Sequence, residues 1–441
     1  MTGQRYTWSD LRHLRVGLYG LGTEGTANLR KLRSIGVEPV IVTDVPKAKY
    51  QENIIPTANG GLAALERCDV VIKTPGISRY RPEIVSLAER GVPVLGGLGL
   101  WMQGMERQRV VCVTGTKGKS TTASLLGHLL SAFGYRSLVA GNIGVPPYDP
   151  DLPGGDDFDY WVVEVSSHQA TDLTSSSPLA ALTALHPDHL PWHGGVERYY
   201  QDKLSALSQP GAVLTVANGD SELIRARSAL LAPDVDWVSE HDSPDAKWMD
   251  VPALPGGHNR RNALIAQRCL TALGIDGAMD GDALHDAMKT YYGLPSRLTV
   301  IGTVAGVVFV DDSLSTNVLS TLAALDSYSG RRVALIVGGC DRGIDYTPLA
   351  VGIETRQEPT LVLTIPDSGK RIGTVLSSSR SSILLADCAD LVSAVLKGFE
   401  WAQPDGVVLL SPAAPSFGQF RDYRDRAEAF AQAMRDCSGQ G

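Results

Sequence analysis

Short apolar, β-branched runs recur along the chain, and helical patterns separate them. The apolar part of each run leads into Gly, Pro, Ser, Thr or Asp, which is typical of parallel strands buried on both faces. Intervening segments such as KSTTASLLGHLLSAFG suit helices that join parallel strands by right-handed crossovers. The pattern therefore predicts stacked α/β units. The runs are RVGLYGL, PVIVTD, DVVIKTPG, RVVCVTGT, YWVVEVSS, AALTALHP, VVFVDDS, RRVALIVGG, PTLVLTIP and GVVLLSPAA.

Two interruptions of this pattern predict the domain organisation. At GGLGLWMQGMERQRV one βα series ends and a new strand begins, and at YYGLPSRLTVIG a Gly and a Pro interrupt a helix before a strand. Three domains of conventional size follow, spanning 1–106, 107–297 and 298–441.

Composition narrows the class of protein. The 441 residues carry a net charge of -8, with 43% hydrophobic and 20% charged residues, as in a globular enzyme. There is no long basic run, so we expect no nucleic-acid partner. The six cysteines are scattered without a C-x-x-C pair, which argues against a zinc knuckle. The polar N-terminal segment and the lack of a long apolar run predict a cytoplasmic protein without a membrane partner.

The stretch VGLYGLGTEGTANLRKL contains a G-x-G-x-x-G pattern at 20–25, and Asp44 follows at the end of the next strand-like run. A strand, a tight glycine turn and a helix N-terminus are suited to a pyrophosphate. The same pattern is found in nicotinamide enzymes, and a carboxylate such as Asp44 suits the ribose of several nucleotides. The motif therefore predicts a nucleotide site and leaves its ligand open.

A second glycine-rich stretch, VVCVTGTKGKSTTASLL, predicts a phosphate-binding loop. Gly115 and Gly118 let the backbone turn its N–H groups inward, and a helix N-terminus follows. Lys119 would reach the β- and γ-phosphates of a nucleoside triphosphate, and the Ser120 hydroxyl would face Mg²⁺. A strand–helix turn without a ligand is the alternative.

The version T-G-T-x-G-K-[ST]-T resembles the loop of the Mur ligase superfamily, the ATP-dependent amide ligases of peptidoglycan assembly and their folylpolyglutamate synthetase relatives. Further blocks resemble that superfamily in the same order, and they are most similar to those of the enzymes that add glutamate to UDP-N-acetylmuramoyl-L-alanine. These blocks are AGNIGVP, VVEVSSHQ, HPDHL, YYQDKLSAL, GGHNRRNALIA, GLPSR, DDSLSTN and LLSPAAPSFGQF.

The resemblance implies a Rossmann-like UDP-binding domain, a central P-loop ATPase-type α/β domain and a Rossmann-like C-terminal domain. It implies ligation through an acyl phosphate, with ATP and two Mg²⁺ as cofactors. The implied partners are two small-molecule substrates, UDP-N-acetylmuramoyl-L-alanine and glutamate, and we expect a monomer.

Four catalytic residues follow from the resemblance: Lys119, Glu164, His189 and Lys203. Glu164 ends a predicted strand beside the phosphate loop, where a carboxylate can hold Mg²⁺ with Ser120; a solvent-exposed carboxylate is the alternative. The resemblance gives His189 a second Mg²⁺, with Asp188 and His186 as lesser candidates. It also makes Lys203 a carbamylated, anionic metal ligand, although an exposed helix lysine is the ordinary interpretation. The predicted metal ligands are Ser120, Glu164, His189 and Lys203.

The substrate contacts are also implied by the resemblance. The two asparagines at the start of a helix are placed near adenine, and helix capping is their alternative role. The predicted ATP-binding residues are Gly115, Thr116, Lys117, Gly118, Lys119, Ser120, Thr121, Asn259, Asn262, Arg297 and Asp312. The predicted contacts to the UDP substrate are Thr23, Glu24, Asp44, Thr74, Gly76, Asn142, Ser166 and Gln169.

The predicted glutamate pocket departs from the pattern of the D-glutamate-adding enzymes. Its residues are Thr316, Arg342, Ser416 and Tyr423. Leu314 stands where that pattern has Lys, Arg342 lies near another usual Lys, and Tyr423 replaces Phe. Arg binds a carboxylate through two parallel hydrogen bonds, whereas Lys acts as a point charge. D-glutamate is the usual substrate, but these departures leave the enantiomer open, and a variant branch that adds L-glutamate is the alternative.

Three alternatives remain at the level of sequence. The first is another ligase of the superfamily, either a folylpolyglutamate synthetase or an enzyme that adds a different amino acid; the predicted N-terminal domain argues against the folate enzyme, because that group starts at the ATPase domain. A nicotinamide-binding oxidoreductase depends on the G-x-G-x-x-G motif alone. A non-catalytic nucleotide-binding scaffold fits poorly with a chain that keeps Lys119, Ser120 and Glu164.

Overall fold

Three separate sheets, flanked by helices, make up the described part of the computed structural model. The chain divides into two compact units, the first of 1–249 with 257–291 and the second of 250–256 with 292–441. The predicted α/β class with parallel sheets is confirmed, and the limits of the three domains stay a prediction. The residues described are 5–44, 53–152, 157–251, 254, 256–341, 343–378, 383–416 and 418–438.

The first sheet is parallel, in the order β3-β2-β1-β4-β5. The strand order reverses between β1 and β4, and in open α/β sheets ligands bind in the crevice at the carboxyl ends of such strands. The G-x-G-x-x-G turn follows β1, and Thr74 follows β4. The strands are β1 (Val16–Tyr19), β2 (Val40–Thr43), β3 (Ile54–Pro56), β4 (Val70–Lys73) and β5 (Val94–Gly96); the helices are α1 (Thr23–Ser34), α2 (Gly61–Leu65), α3 (Pro82–Glu89) and α4 (Gly97–Gly104).

The second sheet is also parallel, in the order β11-β10-β9-β6-β8-β7. Its central strand β6 is buried throughout and leads into the phosphate loop. The strands are β6 (Val110–Thr114), β7 (Ser137–Gly141), β8 (Tyr160–Glu164), β9 (Leu179–Leu182), β10 (Leu214–Asn218) and β11 (Asp234–Val238). The helices are α5 (Lys119–Ala132), α6 (Ser167–Ala170), α7 (Leu190–His193), α8 (Val196–Leu204), α9 (Glu222–Arg225), α10 (Gly257–Ala272) and α11 (Gly281–Met288).

The third sheet lies in the second unit, in the order β12-β13-β17-β14-β15-β16. The edge strand β12 is antiparallel to β13, and the other pairs are parallel. The strands are β12 (Thr299–Val304), β13 (Val307–Asp311), β14 (Val333–Gly338), β15 (Thr360–Ile365), β16 (Leu384–Asp387) and β17 (Val407–Leu410). The helices are α12 (Val318–Asp326), α13 (Thr347–Glu354), α14 (Gly369–Ser377), α15 (Leu391–Ala402) and α16 (Tyr423–Ser438).

The first two sheets share one apolar core, in which Trp101 of α4 packs edge-on against Trp161 of β8 with ring centres 5.3 Å apart. No helix in the described part of the chain has both the length and the apolar character needed to span a bilayer. Short 3₁₀ helices complete the described secondary structure, at Trp8–His13, Thr57–Asn59, Arg107–Arg109, Ser205–Leu207, Ser228–Leu230 and Lys247–Met249.

Candidate active site

The phosphate loop is held in a shape that only glycine permits at two positions. Gly115 has φ +142° and Gly118 has φ +84°, a region that side chains rarely adopt. A Cβ on Gly115 would lie 2.2 Å from the Thr183 hydroxyl, and one on Gly118 would lie 2.7 Å from Oδ1 of Asn262. The loop therefore lies directly against Asn262. This residue and Asn259 lie inside α10 rather than at its cap.

Hydrogen bonds from Thr116 fix the middle of the loop. Its backbone N–H donates to the carbonyl of Ala184 at 2.7 Å, and its hydroxyl to that of His186 at 3.0 Å. The Tyr199 hydroxyl lies 2.7 Å from the same side chain. Lys119 then opens α5, with Nζ 3.4 Å from the Thr116 carbonyl oxygen. Ser120 and Thr121 follow in the first turn of α5, where backbone N–H groups point along the helix axis towards the loop.

Glu164 is the buried last residue of β8 and lies beside the end of β6, from which the phosphate loop leaves. It pairs with Val113 across the sheet and is 1% exposed, so the alternative of a solvent-exposed carboxylate is wrong. Asn142 donates from Nδ2 to Oε1 of Glu164 at 2.6 Å. The other oxygen, Oε2, is buried and has no hydrogen-bond partner among the described residues. A buried carboxylate oxygen of this kind is suited to a cation.

The segment after β9 brings Asp188 and His189 towards the loop. Asp188 lies 3.9 Å from Nζ of Lys117. His189 adopts φ +51° and its ring centre lies 4.8 Å from that of His168. Burial lowers the pKa of His189, which favours the neutral imidazole that metals bind.

Lys203 is almost completely buried, at 2% exposure, on the inner face of α8. Its Nζ donates to the carbonyl of Gly115 at 3.0 Å and lies 5.4 Å from the ring centre of Tyr199. Burial, together with the charge of Lys119, lowers the pKa of Lys203 well below its ordinary value. The ordinary interpretation of an exposed helix lysine is therefore wrong.

The predicted metal ligands can be tested against these contacts. Within the described residues there is no group of three or more His, Cys, Asp or Glu side chains suited to a metal ion. A site here would therefore use the Ser120 hydroxyl and a modified Lys203 besides Glu164 and His189. The unpartnered Oε2 of Glu164 and the buried amine of Lys203 fit such a site.

The G-x-G-x-x-G turn packs tightly at the crevice of the first sheet. Gly20 has φ +97°, and a Cβ on Gly25 would lie 2.2 Å from the carbonyl oxygen of Gly20. Thr23 and Glu24 form the first turn of α1. Thr74 contacts the same turn, because a Cβ on Gly20 would lie 2.5 Å from its hydroxyl. The glycine turn and Thr74, two predicted parts of the UDP site, are therefore in contact.

Asp44, at the end of β2, is held by side chains of the first sheet. It accepts hydrogen bonds from Arg81 at 2.6 Å, from Thr57 at 2.8 Å and from the Tyr19 hydroxyl at 3.1 Å. The hydrogen bond from Arg81 is the main reason why the pKa of Asp44 is lowered. Asp44 is therefore ionised and available as a hydrogen-bond acceptor.

The segment that follows β8 is tied to the first sheet by a glutamine. Gln169 donates from Nε2 to Oε1 of Glu24 at 2.7 Å. Its own Oε1 accepts from the backbone and hydroxyl of Ser166, at 2.9 and 3.0 Å. The amide orientation is thereby fixed, and the predicted UDP contacts Glu24, Ser166 and Gln169 form one chain. The carbonyl of Gly76, another predicted UDP contact, accepts a hydrogen bond from the indole N–H of Trp192 at 3.2 Å.

Buried ionic contacts between the same elements were not predicted. Nζ of Lys73 lies 2.5 Å from Asp172, with both side chains at most 3% exposed, and the partly exposed Arg79 lies 3.1 Å from the other oxygen of Asp172. A chain of polar contacts connects four further side chains. The Tyr80 hydroxyl donates to Asp202 at 2.6 Å, and the other oxygen of Asp202 lies 2.6 Å from Nδ1 of His193. Nε2 of His193 lies 3.0 Å from the Ser167 hydroxyl. KTPGISRY was the available sequence signal, because a buried strand ends there in a lysine and is followed by an arginine and a tyrosine.

In the second unit, Asp312 lies buried at the end of β13. It accepts from the Ser411 hydroxyl at 2.7 Å and from the backbone N–H of Leu298 at 3.2 Å. Burial raises the pKa of Asp312 to about 6. The charge of Arg297 acts on this carboxylate in the opposite direction, and Nε of Arg297 is buried without a partner among the described residues.

The predicted glutamate residues lie on three segments of the second unit. Thr316 precedes α12, Ser416 is buried after β17, and Tyr423 begins α16. Arg342 lies outside the described residues. One cation was missed: Arg426 is fully buried and donates to the carbonyls of Ser313 at 2.7 Å and Ala414 at 3.2 Å. This guanidinium joins the loops after β13 and β17. Arg426 stands in the charged stretch RDYRDRAE, which is typical of a solvent-exposed helix face, so no sequence pattern indicated its burial.

Similarity to known proteins extends over nearly the whole chain. Residues 113–251 match the family model described as the Mur ligase middle domain. A protein of Micromonospora sp. named UDP-N-acetylmuramoyl-L-alanine--L-glutamate ligase is 41% identical, with 98% of each chain covered. A protein of Salinispora tropica with the same name is 39% identical, with 98% of this chain and 99% of the relative covered.

Solved structures agree in fold. The UDP-N-acetylmuramate-alanine ligase of Thermotoga maritima has a TM-score of 0.57 at 18% identity, with 96% of this chain and 100% of that chain covered. The MurF ligase of the same organism, solved in complex with ADP, has a TM-score of 0.58 at 15% identity, with 99% of this chain and 98% of that chain covered.

Proposed function

The chain belongs to the Mur ligase family, and we propose that it adds L-glutamate to UDP-N-acetylmuramoyl-L-alanine with ATP, in the synthesis of peptidoglycan precursors. The observation that carries the proposal is the gathering of Glu164 and Lys203 at the phosphate loop. Lys203 contacts Gly115 directly, and Glu164 ends the neighbouring strand. The names of relatives matched over nearly the whole chain support the substrates.

The proposed reaction has two steps. The alanine carboxylate attacks the γ-phosphorus of ATP, which releases ADP and leaves an acyl phosphate. The amine of glutamate then attacks the carbonyl carbon, and inorganic phosphate leaves as the amide forms and the amine loses a proton. Loop N–H groups and Lys119 would stabilise the charge on the transferring phosphoryl group. The other predicted ATP contacts are Gly115, Thr116, Lys117, Gly118, Ser120, Thr121, Asn259, Asn262, Arg297 and Asp312.

Two Mg²⁺ ions are part of the proposal, with Ser120, Glu164, His189 and Lys203 as the residues that would hold them. Bound Mg²⁺ supplies positive charge next to the phosphate oxygens. Lys203 would act as a carbamate, formed when its neutral amine adds CO₂ and releases a proton. The buried environment and lowered pKa of Lys203 support this, because only the unprotonated amine is nucleophilic.

The first sheet would bind the nucleotide end of the substrate. The diphosphate would lie at the N-terminus of α1, near Thr23 and Glu24, and the uridine near Asp44, Thr74 and Gly76. Asn142, Ser166 and Gln169 would contact the muramoyl-alanine part. The hydrogen bond between Gln169 and Glu24 supports a continuous surface from one part to the other.

The proposed enantiomer is L-glutamate. Relatives at 41% and 39% identity are named for that enantiomer. Leu314 in place of a cation agrees with a pocket that differs from the D-glutamate pattern. Thr316, Arg342, Ser416 and Tyr423 remain the predicted contacts. We place the reaction in the cytoplasm, with a monomeric enzyme. The alternative of a nicotinamide oxidoreductase finds no support in relatives that are named as ligases.

The experiment is a phosphate-release assay with component omission. With ATP, Mg²⁺, UDP-N-acetylmuramoyl-L-alanine and glutamate together, the purified protein should release phosphate, and mass spectrometry should detect the glutamylated product. Omission of any one component should stop both. Phosphate release that is independent of the UDP substrate, or no product with either glutamate enantiomer, would contradict the proposal.

A further inference from the structure

Glu24 places a carboxyl in the first turn of α1, where the proposed function puts a diphosphate. Its carboxyl is partly buried and meets groups from the central region. Gln169 donates to Oε1 at 2.7 Å, and the Tyr148 hydroxyl lies 3.5 Å from Oε2. The carboxyl is therefore fixed in place rather than free to turn away into solvent.

Charged groups from two other elements face Glu24. Lys73 comes from β4, and Asp172 from the segment after α6. Burial raises the pKa of Glu24 to about 7, and Asp172 adds to this, while Gln169 and Lys73 oppose it. Tyr148 does not compete for the proton near neutral pH, because burial raises its pKa well above the ordinary value.

A second observation on the same helix also points to a polar ligand. Asn28 lies one turn beyond Glu24 and is 0% exposed, yet neither its Oδ1 nor its Nδ2 has a partner among the described residues. A Cβ on Gly97 would lie 2.1 Å from Oδ1 of Asn28 and 2.5 Å from the Tyr148 hydroxyl, so both polar groups border Gly97. Buried unpaired polar atoms are costly and usually meet water or a ligand.

We propose that Glu24 takes up one proton from solvent when the substrate's diphosphate binds, and then acts as a neutral hydrogen-bond donor to it. This rests on the proposed function, which supplies the UDP substrate. An ionised carboxylate beside two phosphate charges would repel them. A protonated carboxyl keeps one O–H donor and still accepts from Gln169.

The direction of the pH dependence follows from the two states. In the free protein the pKa of Glu24 is about 7, and the bound diphosphate raises it further. Below pH 7 the carboxyl already holds its proton, so binding takes up little. Above pH 7 the proton must be acquired, and affinity should fall about tenfold per pH unit until the pKa of the bound state is reached.

Calorimetry tests this with UDP-N-acetylmuramoyl-L-alanine as the probe and no ATP. Titrations at pH 8 in two buffers of different ionisation enthalpy should give an uptake of about 0.9 proton per site. In Glu24→Gln, which keeps the shape and cannot titrate, binding should persist with no uptake and no fall in affinity between pH 7 and 9. Glu89→Gln, at an exposed position on α3, is the matched control and should behave like the wild type.

The outcomes separate the two proposals. Wild-type binding without proton uptake, or equal uptake in Glu24→Gln, would overturn the role of Glu24 and leave the proposed function intact. No binding of the UDP substrate to the wild type would overturn the proposed function and this inference together. If Glu24→Gln does not fold, Glu24→Asp provides the second test: its shorter carboxyl should keep uptake but move the pH at which affinity begins to fall.

Discussion

Lys203 donates from Nζ to the carbonyl oxygen of Gly115 at 3.0 Å, which joins helix α8 to the phosphate loop. The amine is buried, and burial lowers its pKa well below the ordinary value, which favours the neutral form. The contact places the lysine that we propose to be carbamylated at the point where the loop leaves β6. It is the strongest support in the structure for a ligase-type metal site.

Replacement of Lys203 tests this contact. Lys203→Ala and Lys203→Arg should each lower kcat by about 10²–10³, because neither forms the carbamate that would help to neutralise the phosphates. Acetate should partly restore Lys203→Ala, since it supplies a carboxylate in the same place. The wild type should lose activity when CO₂ is removed and regain it with bicarbonate. Near-normal turnover of Lys203→Arg would contradict the carbamate.

Lys119 is predicted to act on the phosphates rather than on the fold. Lys119→Ala should lower ligation by about 10³-fold or more, because a cation at the transferring group is lost. Thermal unfolding should stay within a few degrees of the wild type. Lys289→Ala, which removes an exposed lysine paired with Asp286, is the control and should leave turnover unchanged. Equal turnover of Lys119→Ala and Lys289→Ala would contradict the proposed role of Lys119.

Substitution by alanine should affect binding of the UDP substrate differently at two glycines of the G-x-G-x-x-G motif. In Gly25→Ala the new Cβ would meet the Gly20 carbonyl at 2.2 Å, so the turn must open and binding of the UDP substrate should be lost. Gly22→Ala has no atom within 4 Å of the new Cβ and a φ of -72°, so binding should persist. Calorimetry with the UDP substrate measures both. Equal affinities would show that the tight turn does not shape the site.

Loss of the Asp172 carboxylate should lower the free energy of unfolding more than loss of its partly exposed partner Arg79. Asp172→Asn leaves the ammonium of Lys73 buried without a counter-charge, and we expect a loss of about 3–5 kcal/mol in the free energy of unfolding. Arg79→Ala keeps the buried pair and should cost less than about 1 kcal/mol. Urea unfolding followed by tryptophan fluorescence compares them. Equal losses would mean that the buried pair contributes no more than the exposed contact.

Sequence patterns predicted the strands that carry the site, and missed others for physical reasons. All ten apolar runs contain strands, because burial on both faces selects β-branched residues. β3 and β5 have only three residues, and β16 is a partly exposed edge strand, so their apolar signal is weak. β12 is the strand expected after the interruption at YYGLPSRLTVIG. β7, β10 and β11 were also missed.

The candidate site shows the same limit. Local motifs identified the glycine turns, Lys119 and Glu164, because backbone and neighbouring strands determine their positions. The burial of Lys203 and the pair formed by Lys73 and Asp172, which are 99 residues apart, depend on packing between distant segments. No periodicity in the chain encodes such contacts directly. The resemblance to a family supplied a role for Lys203 but not its contact with Gly115.

The central claim is ligation of L-glutamate, and the most direct measurement compares the two enantiomers in one assay. With saturating ATP, Mg²⁺ and UDP-N-acetylmuramoyl-L-alanine, kcat/KM for product formation should be about 10²-fold or more higher with L-glutamate than with D-glutamate, as expected where a pocket pairs polar groups with one arrangement only. Chiral analysis of the hydrolysed product should recover L-glutamate. A higher kcat/KM for D-glutamate, with L-glutamate inert, would contradict the account.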